Sequence, residues 1–162
     1  MTTICMVLTW IRRRAGGTEM NSRPAIFVDT GPWIALMDPR DQWRGEAEQE
    51  MAALNRQRRT LVTTNWVLAE AYTGLVDRIS RPTIARLRAM VYESSLIKVV
   101  RIDEFAEMAA WRKFLRYDDK DVSMTDCTSF VVMEQLGLST AFTFDEHFQQ
   151  VSFLSLPEIS KE

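Results

Sequence analysis

The sequence predicts an α/β fold: a single three-layer α/β/α domain built on a mostly parallel sheet of four to five strands. Three observations carry that prediction. Short β-branched or apolar runs alternate with longer helical segments, the order of parallel βαβ units with right-handed crossovers. The first of these runs is continuously apolar and reads as a buried strand. No internal repeat and no linker-like stretch interrupts the 162 residues, enough for one domain with a real core.

The elements follow in order. Ala25 to Thr30 is an apolar run ending in Asp-Thr-Gly-Pro, a strand and then a sharp turn. Trp33 to Met37 and Glu46 to Arg58 favour helix, the second through its Ala, Glu, Gln and Met content. Thr60 to Thr64 is the second strand, and Asn65 is placed to cap a helix from Trp66 to about Ile79. Pro82 opens a further helix that reaches about Ser94. Ile97 to Ile102 is the third strand, and Asp103 to Leu115 is helical. Ser123 starts a helix that Gly137 stops. Thr140 to Phe144 is the fourth strand, and Val151 to Leu156 a fifth, short edge strand before Pro157. The expected organisation is a flexible N-terminal extension over 1–23, with Met20 as an alternative start, a domain over 24–157, and a short tail over 158–162.

Composition narrows the function. A net charge of −2 leaves any nucleic-acid binding to a local basic patch. Two cysteines, Cys5 and Cys127, form neither a disulfide framework nor a metal motif, which points to a reducing cytoplasm. His147 is the only histidine, so a multi-histidine zinc site is excluded. The apolar run Ile4 to Ile11 is far too short to span a bilayer, and its arginines follow the run instead of preceding it as in a secretory signal.

Four carboxylates sit inside or at the ends of apolar segments: Asp29, Glu70, Asp126 and Asp145. Each has an ordinary reading of its own. Asp29 can cap the next helix, and Glu70 can be a surface acid. Asp126 fits the Ser-x-x-Asp capping pattern with Ser123, and Asp145 can simply end a strand. Taken together they read differently. Asp29 and Asp145 end strands, where open α/β sheets bind ligands. Glu70, on a helix with Val67, Ala71 and Gly74, and Asp126, with Phe130 and Met133, are expected to face inward. The small residues Ala69, Ala71 and Gly74 leave room for a backbone or a ligand. Four converging carboxylates repel one another unless cations compensate, and all-oxygen ligation suits Mg²⁺ or Mn²⁺. Such a site can activate water against a phosphodiester. Glu146, Asp121 and His147 are neighbours left outside the metal set.

Val28-Asp29-Thr30, Glu70 within Asn65 to Glu70, Ser123-x-x-Asp126 and Thr143-Phe144-Asp145-Glu146-His147-Phe148 together resemble the PIN domain family, in particular toxins of the VapC type. The resemblance spans about Ala25 to Leu156. It implies a metal-dependent endoribonuclease that hydrolyses RNA, with Asp29, Glu70, Asp126 and Asp145 as catalytic, metal-holding acids. Asp29 and Asp145 would hold one ion, with Glu70 and Asp126 completing the site or holding a second. Thr30, Ser123 and Thr143 would orient these groups. The resemblance also implies an antitoxin partner, a type II toxin-antitoxin pair and a homodimer.

Basic residues should rim the acids, and the candidates are Arg40, Arg44, Arg112, Arg116 and Lys120. Trp33, Trp43, Trp66 and Trp111 are candidates for base stacking or for packing, and Trp33 with Ile34 for a partner surface. Two alternatives stay open: a catalytically inactive PIN-like RNA- or protein-binding module, and a DNA-directed nuclease. Gly31, two residues after Asp29, argues against a haloacid-dehalogenase-like phosphatase, which needs a second Asp there.

Overall fold

The structure is a computed structural model that describes residues 23–118 and 121–158. The greater part of the expected N-terminal extension, Lys120 and most of the expected tail lie outside the described residues. Among those described, the chain runs β1 (Ile26–Val28), α1 (Thr30–Met37), α2 (Arg44–Arg56), β2 (Leu61–Thr64), α3 (Asn65–Leu75) and α4 (Arg81–Glu93). It continues through β3 (Ile97–Val100), α5 (Glu104–Arg116), α6 (Met124–Leu136), β4 (Thr140–Phe142), α7 (His147–Gln150) and β5 (Leu154–Leu156). The architecture is a three-layer α/β/α fold on five parallel strands in the order β3-β2-β1-β4-β5.

Burial explains the strand sequences. Every residue of β1 and β2 is buried, as helices on both faces require of central parallel strands. Fully burying Phe27 or Val28 is worth roughly 1.5–3 kcal/mol each. Helix α6 is buried on nearly every side, so it lacks the usual polar face. Its Ser129 and Thr128 hydroxyls donate to the Thr125 carbonyl, which satisfies them inside the core. Phe130 packs edge-on against Phe148 and Tyr117. Gly137 ends α6 at φ 65°, a left-handed conformation that glycine adopts without a side-chain clash.

Several local expectations are corrected. Thr64, not Asn65, caps α3: its Oγ1 accepts from the Val67 amide at 3.1 Å. Strand β2 runs into α3 without a loop, so capping falls to the last strand residue. Asn65 instead accepts from the Ile102 amide at 2.7 Å, tying the exit of β3 to α3. Strand β4 stops at Phe142, so Asp145 lies in the following loop and does not end a strand. The fifth strand is only Leu154–Leu156, because α7 and a positive-φ turn at Ser152 occupy the preceding residues. Trp33 is fully buried, with Nε1 3.4 Å from Thr63 Oγ1, so it forms core and not a partner surface. The space left at Gly74 is taken by Ile34, whose Cδ1 lies 3.0 Å from where a Cβ would stand.

The strand order reverses between β1 and β4. The chain passes from β1 to β2 on one side, while β4 and β5 lie on the other. A crevice opens outside the carboxyl ends at such a point. Residues 29–30 and 143–147 therefore meet there.

Candidate active site

Asp29 leaves β1 in an extended conformation at the head of α1, yet its side chain makes no cap hydrogen bond. It turns instead to the neighbouring strand, where Oδ2 accepts from Thr143 Oγ1 at 2.9 Å. The backbone joins the same two segments, since the Asp29 amide donates to the Phe142 carbonyl. Thr143 Oγ1 in turn accepts from the Asp145 amide at 3.0 Å, and Asp145 Oδ1 accepts from the His147 amide at 2.9 Å. One buried hydroxyl thus sets the spacing of two acids.

Asp126 does both things its sequence context allows. Ser123 Oγ accepts from the Asp126 amide at 3.1 Å and Asp126 Oδ2 accepts from the Ser123 amide at 2.8 Å, a complete capping box. The same carboxylate reaches the crevice. Glu70 departs from expectation: it is exposed, not on a buried face. It still borders the crevice and is held there by Thr30, whose Oγ1 donates to Oε2 at 2.7 Å.

These four acids line one cleft of about 590 Å³, together with Thr30, Gly31, Ile34, Asp41, Trp43, Arg78, Ser123, Phe144, Glu146 and His147. Asp126, Asp145 and His147 each offer a ligand atom, all within 4.8 Å of one another. His147, which sequence reasoning left outside the metal set, thus stands beside two of its acids. Its Nδ1 lies 2.8 Å from Asp145 Oδ1, but outside hydrogen-bond geometry. The readable signal was the two-residue step from Asp145, which the short helix α7 folds back over the acid.

Electrostatics mark the cleft as short of cations. Burial, then the charges of Asp126 and Asp145, push the Asp29 carboxyl up to about 7 against the lowering effect of Thr30 and Thr143. Burial also raises Asp126, opposed by Ser123 and reinforced by Asp145 and Glu70. The buried Cys127 thiol is pushed up to about 11, which makes it a poor nucleophile.

The basic candidates fall elsewhere. Arg44 pairs with Glu48 at 2.7 Å and Arg40 with Asp38 at 3.5 Å, and neither lines the cleft. Arg112 and Arg116 are exposed on α5, also away from the cleft wall. Arg78, which sequence reasoning missed, is the one arginine or lysine on that wall among the described residues. It follows α3 in a short turn, and nothing in its local sequence marks it.

A fold with its acids at the carboxyl edge of a parallel sheet has close counterparts. The PIN domain family matches residues 26–154. The 23S rRNA-specific endonuclease VapC20 of Mycobacterium tuberculosis is 32% identical over 131 residues, 81% of this chain and 97% of that protein. The crystal structure of M. tuberculosis VapC20, described as a sarcin-ricin-loop-cleaving toxin, superposes with a TM-score of 0.74 over 80% of this chain and 97% of that one. FitAcB from Neisseria gonorrhoeae shares the fold at 16% identity, with a TM-score of 0.58 over 80% of this chain and 95% of that one. The chain belongs to the PIN domain family.

Proposed function

We propose that this protein is a toxin-class endoribonuclease that hydrolyses RNA phosphodiester bonds with the help of a divalent cation. The observation that carries the reading is the convergence of Asp29, Glu70, Asp126 and Asp145 on one cleft in which Asp29 is pushed up to about 7. Carboxylates so arranged accept a cation readily, because it removes their mutual repulsion.

The donors fit a hard ion. Asp29, Asp126 and Asp145 supply oxygen, Glu70 can add one from the rim, and His147 offers a single imidazole. That set suits Mg²⁺ or Mn²⁺ better than a soft metal. When bound, such an ion activates water and offsets charge on the phosphate. The protein's own part is positioning. Thr143 fixes Asp29 against Asp145, Ser123 fixes Asp126, and Thr30 steadies Glu70 at the entrance.

The relative with 32% identity acts on 23S rRNA, so a structured ribosomal hairpin is the first substrate to test. The reading extends to an antitoxin partner that occludes the cleft, a homodimer and a cytoplasmic setting. Among the described residues, no helix is long and apolar enough to cross a membrane.

The test uses a synthetic RNA hairpin carrying the sarcin-ricin loop, alongside intact ribosomes and the DNA version of the hairpin. Cleavage of RNA that requires Mn²⁺ or Mg²⁺, stops in excess EDTA and is lost in Asp29→Asn is the expected result. Unchanged cleavage in EDTA or in Asp29→Asn removes the metal-centred reading. Cutting of the DNA hairpin in preference to RNA reassigns the substrate.

A further inference from the structure

One turn contributes Asp41 and Trp43 to the cleft wall. Residues 38–43 join α1 to α2, and Asp41 within them does two jobs. Its Oδ1 accepts from the Trp43 backbone amide at 2.9 Å, which fixes the main chain of the turn at Trp43. Its Oδ2 lies 3.5 Å from Arg78 Nη1. Asp38 Oδ2 approaches the same Nη1 at 3.5 Å, and Arg40 Nη2 donates to the Arg78 carbonyl at 3.0 Å. Both carboxylates thus engage one guanidinium nitrogen at long range, while the Arg78 side chain stays 47% exposed at the cleft. The rest of the planar donor fork faces no other carboxylate among the described residues.

Trp43 stacks on Phe144 with ring centroids 5.0 Å apart and planes 7° from parallel. Phe144 is anchored edge-on to Phe142 in β4, and both rings of the pair border the cleft beside Asp145. An acid-lined cleft that must admit a polyanion needs a cation at its wall, and an unpaired base needs a flat apolar surface. Arg78 and the Trp43–Phe144 pair provide both, within reach of the acids.

We propose that Arg78 binds a backbone phosphate of single-stranded RNA next to the cleaved bond and that the Trp43–Phe144 pair stacks the adjoining base. The subsite depends on the ribonuclease reading above and names how that site holds its substrate. It favours unpaired loop nucleotides over a duplex, since a paired base cannot turn onto the rings.

Two variants test it against the same sarcin-ricin hairpin, with and without an abasic nucleotide beside the cleaved bond. Arg78→Gln is expected to raise KM about tenfold or more with kcat at saturation little changed. It should also make RNA binding about 0.7 less steep in log salt. Trp43→Leu, which keeps an apolar side chain on Phe144, is expected to raise KM roughly tenfold on the intact hairpin. On the abasic hairpin that penalty should vanish. Mn²⁺ binding by either variant should match the unaltered protein, which separates substrate loss from damage to the acids. Unchanged KM and salt slope in Arg78→Gln, or a Trp43→Leu penalty that persists on abasic RNA, overturns the subsite while leaving the ribonuclease reading standing. A protein partner lost by Arg78→Gln while RNA binding holds reassigns that wall to the partner. Absence of RNA cleavage by the unaltered protein overturns both readings.

Discussion

Asp29 and Asp38 stand at the two ends of helix α1 and are almost equally hidden, at 5% and 3% exposure. Their carboxyls move in opposite directions. Asp38 is held below the usual carboxylate range, first by the Arg40 amide and then by the Arg40 and Arg78 guanidinium groups. Asp29 is pushed upward first by burial and then by the charges of Asp126 and Asp145, against the lowering effect of its Thr30 amide and Thr143 hydroxyl partners. Burial dominates at Asp29, whereas at Asp38 the Arg40 amide and the two guanidinium groups outweigh it. Asp38 has two guanidinium groups within 3.5 Å, whereas the four acids of the cleft share a single arginine, Arg78, on their wall among the described residues. That shortfall distinguishes a site from a structural ion-pair cluster.

The largest test of the contrast removes each carboxylate charge in turn. A raised Asp29 favours the folded state only while protonated. That advantage is complete below the ordinary carboxylate value and is lost as pH rises through about 7. Ion-free protein at pH 8 therefore carries a cost whose ceiling is roughly 4 kcal/mol. Asp29→Asn should raise the melting temperature of EDTA-treated protein at pH 8 while cutting RNA cleavage ~10³-fold or more. Asp38→Asn should do the reverse: a lower melting temperature, with Mn²⁺ affinity retained. Calorimetry of the two variants side by side decides it. A lower melting temperature for Asp29→Asn at pH 8 would sink the argument.

The same linkage gives a pH dependence. Below about 7 a proton competes with the cation for Asp29, and Asp126, also raised, adds a second competitor. Mn²⁺ affinity should fall about tenfold per pH unit from 7 toward 5 and level off above 7. Titration calorimetry at three pH values checks this; a flat profile between 5 and 7 counts against a raised Asp29. A smaller effect is expected from Thr143→Val. Its buried hydroxyl donates to Asp29 and accepts from the Asp145 amide, so the variant loosens both acids. Mn²⁺ affinity should drop about 10- to 100-fold. Unaltered affinity would mean that the backbone alone fixes the acids.

These contrasts also show where the sequence was legible. Strand β1 was readable because burial on both faces leaves an unbroken apolar run, and β2 because its residues are mostly β-branched. The meeting of the four acids at one cleft was readable in outline, because Asp29 follows a strand and Asp126 opens a helix at the same sheet edge. Asp126 could be read both as a cap and as a site residue; it forms the capping box and also lines the cleft. What escaped depends on contacts between segments distant in sequence. Arg78 reaches the cleft only because Asp38 and Asp41, some forty residues earlier, draw its guanidinium there. His147 comes to the acids through a four-residue helix too short to leave a periodic pattern. Glu70 looked buried because its helical neighbours Val67 and Ala71 are; the edge of a cleft exposes one residue of an otherwise inward face.

Glu70 sets the finest test. It is the one acid of the four that solvent reaches freely, and the Thr30 hydroxyl donates to it at 2.7 Å. A single hydrogen bond to a charged group at an exposed site is worth little for stability, about 1 kcal/mol at most after competition with water. Its value lies in aim, because an unrestrained glutamate samples several rotamers. Thr30→Val should therefore leave the melting temperature nearly unchanged and lower kcat several-fold. Thr30→Ser, which keeps the donor, should restore most of the rate. Equal activity in the valine and serine variants would show that Glu70 finds its place without the hydroxyl. It would then belong with the paired acids around Asp38 more than with Asp29.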